Sequence, residues 1–402
     1  MARNKRTNQA SPYEAPVGWQ LWRHPDTKSD GWECPLYSDT ILTSSSYPSV
    51  SVGPFEIFPT GNESTDRGQP VTQLVLRIPH ADARLEYPHL LHPAAPPLSS
   101  AWWLDLSPDE EAAAILSLGL GCRLRSGSLT RRFPRGGDPA GVPELHNHRP
   151  PGLIPVPERL IQLPGLRTGP RDLGPGIDFL RIYARLGPTD AFIMAKAARH
   201  FADALWIADS DPEQAWLRLV TALETVAAHV QVEEADPVAT FSEMYPAAVK
   251  AITKHGAEQA LPAVAKQFEG LIGAGRRFRA FVSRYAPEPP SVRPQRESMR
   301  FEWDGLDQAV KTIYGYRSDL LHAGRPFPPM MVGLELEVDD NGATAECAHR
   351  GTWMAGTSMW PPGSAPMHLW LFAYVVRAAL TAWASDRAAS SSEVLAAMPL
   401  QG

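Results

Sequence analysis

The spacing of apolar positions changes period near the middle of the chain. In residues 71–78, Leu74, Leu76 and Ile78 share one side while Gln73 and Arg77 share the other, the two-residue period of a half-buried strand. Residues 50–58 read as further short strand. One clear helix breaks this front half: Ser107 is its N-cap, Pro108 fits the first helical position and Glu110 completes a capping box. Beyond residue 185 the period is helical. Ile193, Ala197, Phe201 and Leu205 recur every four residues, and Trp216, Val220, Leu223, Ala227 and Val230 form the next stripe. Ser210, Pro212 and Glu213 predict the N-cap, first turn and capping box of that second helix. Helices are also expected over 246–255, 261–285 and 305–323, the last closed by Gly324. Alternation in 332–338, the turn DDNG and then ATAEC predict a β-hairpin. A long apolar helix follows at 367–384.

Proline sharpens this division. Of 40 prolines, 24 fall within residues 1–178, and 18 of the 45 residues from 134 to 178 are Pro or Gly, a composition that sustains neither helix nor central strand. A chain of 402 residues suits two domains. The expected organisation is α+β: a β-containing N-terminal domain (1–133), a Pro/Gly-rich linker (134–178), an all-α helical bundle with an inserted hairpin (179–388) and a fraying tail (389–402).

Charge and cysteine usage narrow the function classes. A net charge of −6 excludes a protein that coats nucleic acid through its global charge, because such binding needs a basic surface to release counterions. A local basic groove stays open. Cys34, Cys122 and Cys347 are far apart and form no C-x-x-C pair, which argues against a disulfide framework and a Cys-rich zinc site. Two histidine groups (His80, His89 and His92; His146 and His148) lack helical ligand spacing and acidic partners, so no metal is expected. The N-terminal MARNKRTNQASPYEAP has no apolar run, unlike a secretory signal. The 367–384 segment approaches membrane-spanning length, but Arg377 in its middle costs ~2.5–3.5 kcal/mol on insertion scales, so a buried helix is expected. These features predict a cytoplasmic protein with no membrane partner.

One segment carries candidate chemistry. YGYRSDLLHAG, residues 314–324, places Arg317 and His322 at the end of the 305–323 helix. RNA cleavage without a metal needs a group that takes the 2′-OH proton, a group that protonates the leaving 5′-oxygen, and a fixed positive charge for the phosphorane. Imidazole, which titrates near neutrality, suits the first two; the planar guanidinium fork suits the third. On an ideal helix five residues separate the pair by roughly 140° and ~7.5 Å along the axis. They therefore converge only if the helix ends near Leu321, if Arg317 reaches round, or across a dimer. Ser318 and Asp319 neighbour His322 at i, i+4 and i, i+3; Asp319 is placed to orient the imidazole and Ser318 to hydrogen-bond substrate. Tyr314 is placed to pack on Arg317. Glu224 sits beside the apolar stripe of its helix, an odd place for a lone carboxylate, either facing Arg317 or reaching solvent. The plainer reading is that Arg317 complements the helix dipole and His322 caps the C-terminus.

The pattern Tyr-x-x-Arg-Ser-x-x-x-His-x-Gly resembles the signature of the HEPN superfamily, specifically its ApeA-like branch, and LRLVTALET (217–225), containing Glu224, is similar to an upstream helix of that family. The resemblance covers about residues 185–385; the hairpin is extra to the plain helical core. It implies an all-α bundle that dimerises. Active members are metal-independent endoribonucleases, often in toxin or anti-phage abortive-infection systems, in which Arg and His of two protomers share a cleft; other members only bind or dimerise. By that resemblance Arg317 and His322 would be catalytic, no cofactor would be needed, RNA would be the substrate and a second copy the partner. The alternative is a non-catalytic dimerisation module that binds RNA or protein. An unchecked ribonuclease is toxic, so the N-terminal domain is expected to sense a trigger ligand or protein.

Further arginines invite a nucleic-acid reading. Arg276, Arg277 and Arg279 lie beside Phe278 and Phe281, either lining an RNA groove or forming a wet helix face. Arg123, Arg125, Arg131, Arg132 and Arg135 form a basic run broken by Gly and Ser, either a phosphate-binding loop or solvated chain. No P-loop, G-x-S-x-G or G-x-G-x-x-G motif stands in fitting context, which argues against nucleotide, esterase-type and dinucleotide chemistry.

Overall fold

The computed structural model describes residues 15–23, 30–44, 49–61, 70–79, 106–133, 170–230, 237–333, 336–348, 351–361 and 363–397. The metal-reading histidines His80, His89, His92, His146 and His148, and also Arg135, lie outside them. After a short helix α1 (Val17–Arg23), the front half builds an antiparallel sheet from β1 (Gly31–Ser38), β3 (Val50–Val52), β4 (Phe55–Pro59), β5 (Val71–Pro79) and β6 (Arg125–Ser126), in the order β3–β4–β5–β1–β6. A further strand, β7 (Arg131–Phe133), pairs with the other end of β1. Gly31 of β1 faces Pro79 of β5, and the register shifts once, between Leu36 and Tyr37. The short β2 (Ile41–Thr43) pairs in parallel with β8 (Pro170–Asp172). Gly53, at φ 59°, turns the β3–β4 hairpin directly over the Trp22 ring, where a Cβ would collide.

The sequence pattern of β5 predicts one wet face, and here the structure differs. Gln73 is 1% exposed and accepts the Leu42 N–H. Arg77 bridges Glu33 at 2.7 Å and Glu56 at 3.1 Å, and Arg131 reaches the same fully buried Glu33 at 2.7 Å. A polar residue on the second face thus records a buried ion network, not solvent.

Helix α2 (Pro108–Leu120) begins as its sequence predicts, with Glu110 returning to the Ser107 N–H. Its AAAILSLGL stretch is apolar all round, and it is buried all round. It packs against the sheet strands β5 and β6 on one side and against α3 (Gly174–Ala184) and α4 (Pro188–Ile207) on the other. One continuous core therefore runs from Leu36, Ile57 and Leu76 of the sheet to Trp216 and Phe372 of the helices. No core boundary falls at 133/179: β8 and α3 lie within or begin within the predicted linker, whose residues 134–169 are outside the described chain.

Helix α5 (Pro212–Ala227) folds back on α4, followed by α6 (Pro237–Met244), α7 (Pro246–Lys254), α8 (Leu261–Arg284), α9 (Leu306–Ala323) and α10 (Leu369–Ala397). The N-cap of α5 is Asp211, which accepts the Gln214 N–H, not Ser210; Glu213 instead accepts the Phe327 N–H. Trp216 is stacked between Phe327 and Phe372 and donates its indole N–H to the Met331 carbonyl. The apolar α10 is a core helix. Arg377, in its middle, donates to the Leu118 and Gly119 carbonyls at the end of α2, which have no partners within their own helix. No helix among the described residues is long and apolar enough to cross a membrane. The helix extends through Ala397, beyond the start of the predicted tail at 389.

Among the described residues the predicted hairpin shows one antiparallel bridge, Val338 with Thr344, supported by Asp339 and Ala345 N–H bonds to Ala343 and Glu337 carbonyls. Its Glu346, fully buried, takes a two-pronged ion pair from Arg293 and the Phe301 N–H. A second hairpin, β9 (Trp353–Ala355) with β10 (Ser358–Trp360), follows where apolar alternation predicts none. The mixed architecture is α+β, with strands in front and helices behind.

Two buried charges join the layers. The Arg123 side chain is 1% exposed; it pairs with Asp39 and Asp209 at 2.9 Å each and donates Nε–H to the Leu205 carbonyl at 2.6 Å. Asp39 follows β1 and Asp209 follows α4. Glu111 of α2 accepts the Gly18 N–H at 2.8 Å and the Tyr183 hydroxyl at 2.7 Å. Burial pushes its carboxyl up to about 7, against the opposing pull of the Tyr183, Gly18 and Trp19 hydrogen bonds. All three cysteines are free and buried; burial pushes the Cys122 thiol up to about 12.

Removing one partner of a buried ion pair costs about 3–5 kcal/mol. Arg123→Ala is expected to lose stability in that range by urea denaturation, with Arg123→Lys intermediate. For Glu111, the folded-state value exceeds the unfolded one, so its contribution is full below about pH 4.5 and falls as pH rises through about 7. The stability of wild type relative to Glu111→Gln should therefore decline across that window by up to about 3 kcal/mol. Parallel curves for the two proteins would refute this.

Candidate functional site

Three helices bring the candidate residues together. Glu224 lies in the last turn of α5, Arg277 in α8, and Tyr314 and Arg317 in α9; Arg276 and Ser318 are their chain neighbours and make no side-chain hydrogen bond or ion pair with them among the described residues. Arg317 turns inward and pairs with Glu224, Nη2 to Oε2, at 2.8 Å; their side chains are 22% and 20% exposed. Of the two readings of Glu224, the structure selects the one facing Arg317. The Arg317 guanidinium lies over the Tyr314 ring, 5.7 Å from its centroid, and that ring packs on Phe278 at 5.0 Å. Gly275 allows the ring this close: a Cβ there would meet it at 3.1 Å.

Electrostatics ties the same groups together. Burial and then the Glu224 charge push the Tyr314 hydroxyl up to about 12, while Arg317 and Arg277 pull the other way. The Nε atoms of Arg276, Arg277 and Arg317 are buried and have no hydrogen-bond partner among the described residues. An unsatisfied buried donor costs about 1–3 kcal/mol.

The remaining predicted residues are placed elsewhere. Helix α9 continues to Ala323 and is closed by Gly324 at φ 63°, so the option of a helix ending near Leu321 does not apply. Arg317 faces the bundle and His322 is exposed on the last turn; one chain does not bring them to one cleft. Asp319 pairs with Arg325 at 3.5 Å, not with His322, because the chain after Gly324 doubles back over the helix end. Ser318 is half-buried. Arg279 pairs with Asp307 at 3.6 Å and lines a separate cavity of about 350 Å³ with Trp303 and Val310; Val310 stands about one turn of α9 before Tyr314. The basic run after α2 is dispersed: Arg123 is buried on its two aspartates, Arg125 pairs with Asp203 and Arg131 with Glu33.

Sequence reading missed the polar face of α4, where Lys196, Arg199, His200 and Asp203 stand at i, i+3, i+4, i+7. The signal was present as a helical period of charged residues. Comparison of the chain with known protein families, curated proteins and solved structures finds no match.

Because Glu224 raises the Tyr314 hydroxyl both by its charge and by a hydrogen bond, Glu224→Gln should make Tyr314 titrate at lower pH. Ultraviolet difference titration against Tyr314→Phe isolates the signal. An unchanged titration would show that Glu224 and Tyr314 are not neighbours.

Proposed function

We propose that the chain is a metal-independent endoribonuclease of the HEPN type that works as a dimer. The observation that carries this reading is the inward Arg317, held between Glu224 and Tyr314 with its Nε unsatisfied, in a helical bundle that bears the Tyr-x-x-Arg-Ser-x-x-x-His-x-Gly pattern. The guanidinium would bind the scissile phosphate, exchanging the Glu224 carboxylate for phosphate oxygens. His322 of one copy would take the proton from the 2′-OH as its oxygen attacks phosphorus. The phosphorus–5′-oxygen bond breaks, an imidazolium returns a proton to the leaving oxygen, and a 2′,3′-cyclic phosphate and a 5′-hydroxyl remain. Arg317 and His322 point about 140° apart on one unbroken helix, so a cleft holding both needs two copies. The family resemblance adds the setting: a cytoplasmic toxin-like or anti-phage activity, restrained by the N-terminal β-containing region until a trigger ligand or protein binds.

The second reading is a dimerising module that binds RNA or protein without cutting. It is favoured by the isolation of His322, which has no orienting partner among the described residues, and by a Glu224 that already occupies Arg317.

The test is cleavage of single-stranded RNA in EDTA. Wild type should cut; Arg317→Ala and His322→Ala should each lose at least about a hundredfold, in keeping with general acid–base and electrostatic contributions. Mixing the two dead variants should restore part of the activity through mixed dimers. Cutting that persists in both variants would sink the assignment. A folded, dimeric wild type that binds RNA and never cuts would establish the second reading.

A further inference from the structure

Outside the Arg317 site, positive charge gathers where α4 and α5 run side by side. Asp203 of α4 is approached by three guanidinium groups: Arg125 at 2.9 Å, Arg218 of α5 at 3.8 Å and Arg199 at 3.9 Å. Arg125 takes the close contact and also stacks on the Trp206 ring, 4.9 Å from its centroid. Arg218, 44% exposed, stands farther off, and its other polar neighbour is the ring nitrogen Nδ1 of His200 at 3.4 Å. That contact requires an uncharged imidazole with Nδ1 as acceptor. Burial and then the Arg218 charge push His200 down to about 4, with Lys196 and Arg199 adding to the effect. Lys196 lies one turn before His200 on the same face.

Even with Arg199 left aside, Arg125 and Arg218 share the one carboxylate of Asp203, and Lys196 adds its charge beside His200, within a chain of net charge −6. Holding like charges together is unfavourable. A fold that needed only to neutralise Asp203 would need only Arg125. Exposed guanidinium groups match phosphate oxygens two-pronged. The strip also has a direction. Glu224 follows Arg218 by six positions on α5, about 9 Å along the axis and a third of a turn round, and Glu224 holds Arg317.

We propose that this α4–α5 face is a phosphate-backbone track for single-stranded RNA, with Arg125, Lys196 and Arg218 as its cations, leading to the Glu224–Arg317 site. It rests on the RNA reading above and says where the substrate lies. Asp203 acts as a spacer: it holds the guanidinium groups in register and weakens binding by its own charge.

The test is fluorescence anisotropy of a labelled single-stranded oligoribonucleotide with the full chain, across a salt series. Lys196→Ala/Arg218→Ala should bind about tenfold more weakly, and its slope of log K against log salt should be shallower by about 1.4, or ~0.7 for each phosphate no longer neutralised. Asp203→Asn should bind severalfold more tightly, which a merely structural role for the cluster would not produce. Unchanged melting by circular dichroism separates weakened binding from unfolding. Wild-type protein that does not bind RNA, a double variant that binds like wild type, or an Asp203→Asn that binds no tighter would each overturn the track. The cleavage reading is separated by Arg317→Ala/His322→Ala: if that variant still cuts while the strip variants bind poorly, the track stands and the assigned chemistry falls.

Discussion

A single guanidinium, that of Arg123, fixes how the strands meet the helices. A cation this deeply buried is tolerable only while two carboxylates and a carbonyl surround it. Those partners come from separate places: Asp39 from the end of β1, Asp209 and the Leu205 carbonyl from the end of α4. The Ser38 hydroxyl closes the ring by donating to the Arg123 carbonyl. The α4–α5 turn is therefore tied to the sheet. That tie sets where α5 begins, and with it the position of Glu224 fifteen residues after the Asp209 anchor.

The same logic of one charge organising several elements recurs at the candidate site. Arg317 is drawn inward by Glu224 and held flat by Tyr314, and helix geometry then forces His322 outward. This divides the two candidate groups between the interior and the surface of one helix. The division is what makes a second copy a chemical requirement of the ribonuclease reading, beyond any question of stability.

Much of this was legible in the sequence, and the exceptions share a cause. The helices of the back half follow from four-residue apolar stripes, and Gly324 closes α9 because only glycine adopts that left-handed conformation without strain. A carboxylate beside an apolar stripe left Glu224 two readings, facing Arg317 or reaching solvent, and only the folded chain chooses the first. Polar residues misled where their partners are distant in sequence. Gln73 and Arg77 read as a wet face, yet Leu42, Glu33 and Glu56 claim them. Ser210 reads as a cap one residue early because Asp211 offers the better acceptor for the Gln214 N–H. Asp319 reads as a partner for His322 until Arg325 turns back over the helix end. Local pattern reports burial well and reports the identity of long-range partners poorly. The expected domain boundary has no counterpart in the core for a related reason: proline and glycine mark irregular backbone, and irregular backbone does not require separate cores.

Helix α2 has sheet on one side and bundle on the other, and its apolar residues belong to both. A cut on either side of it would strip one layer of its floor or the other of its wall. Gene rearrangement moves parts that can stand alone, and neither layer here qualifies. The strands and the arginine-bearing helices must then be inherited together, so any change in the front half has to arise by point substitution within the existing chain and not by exchange of a ready-made module.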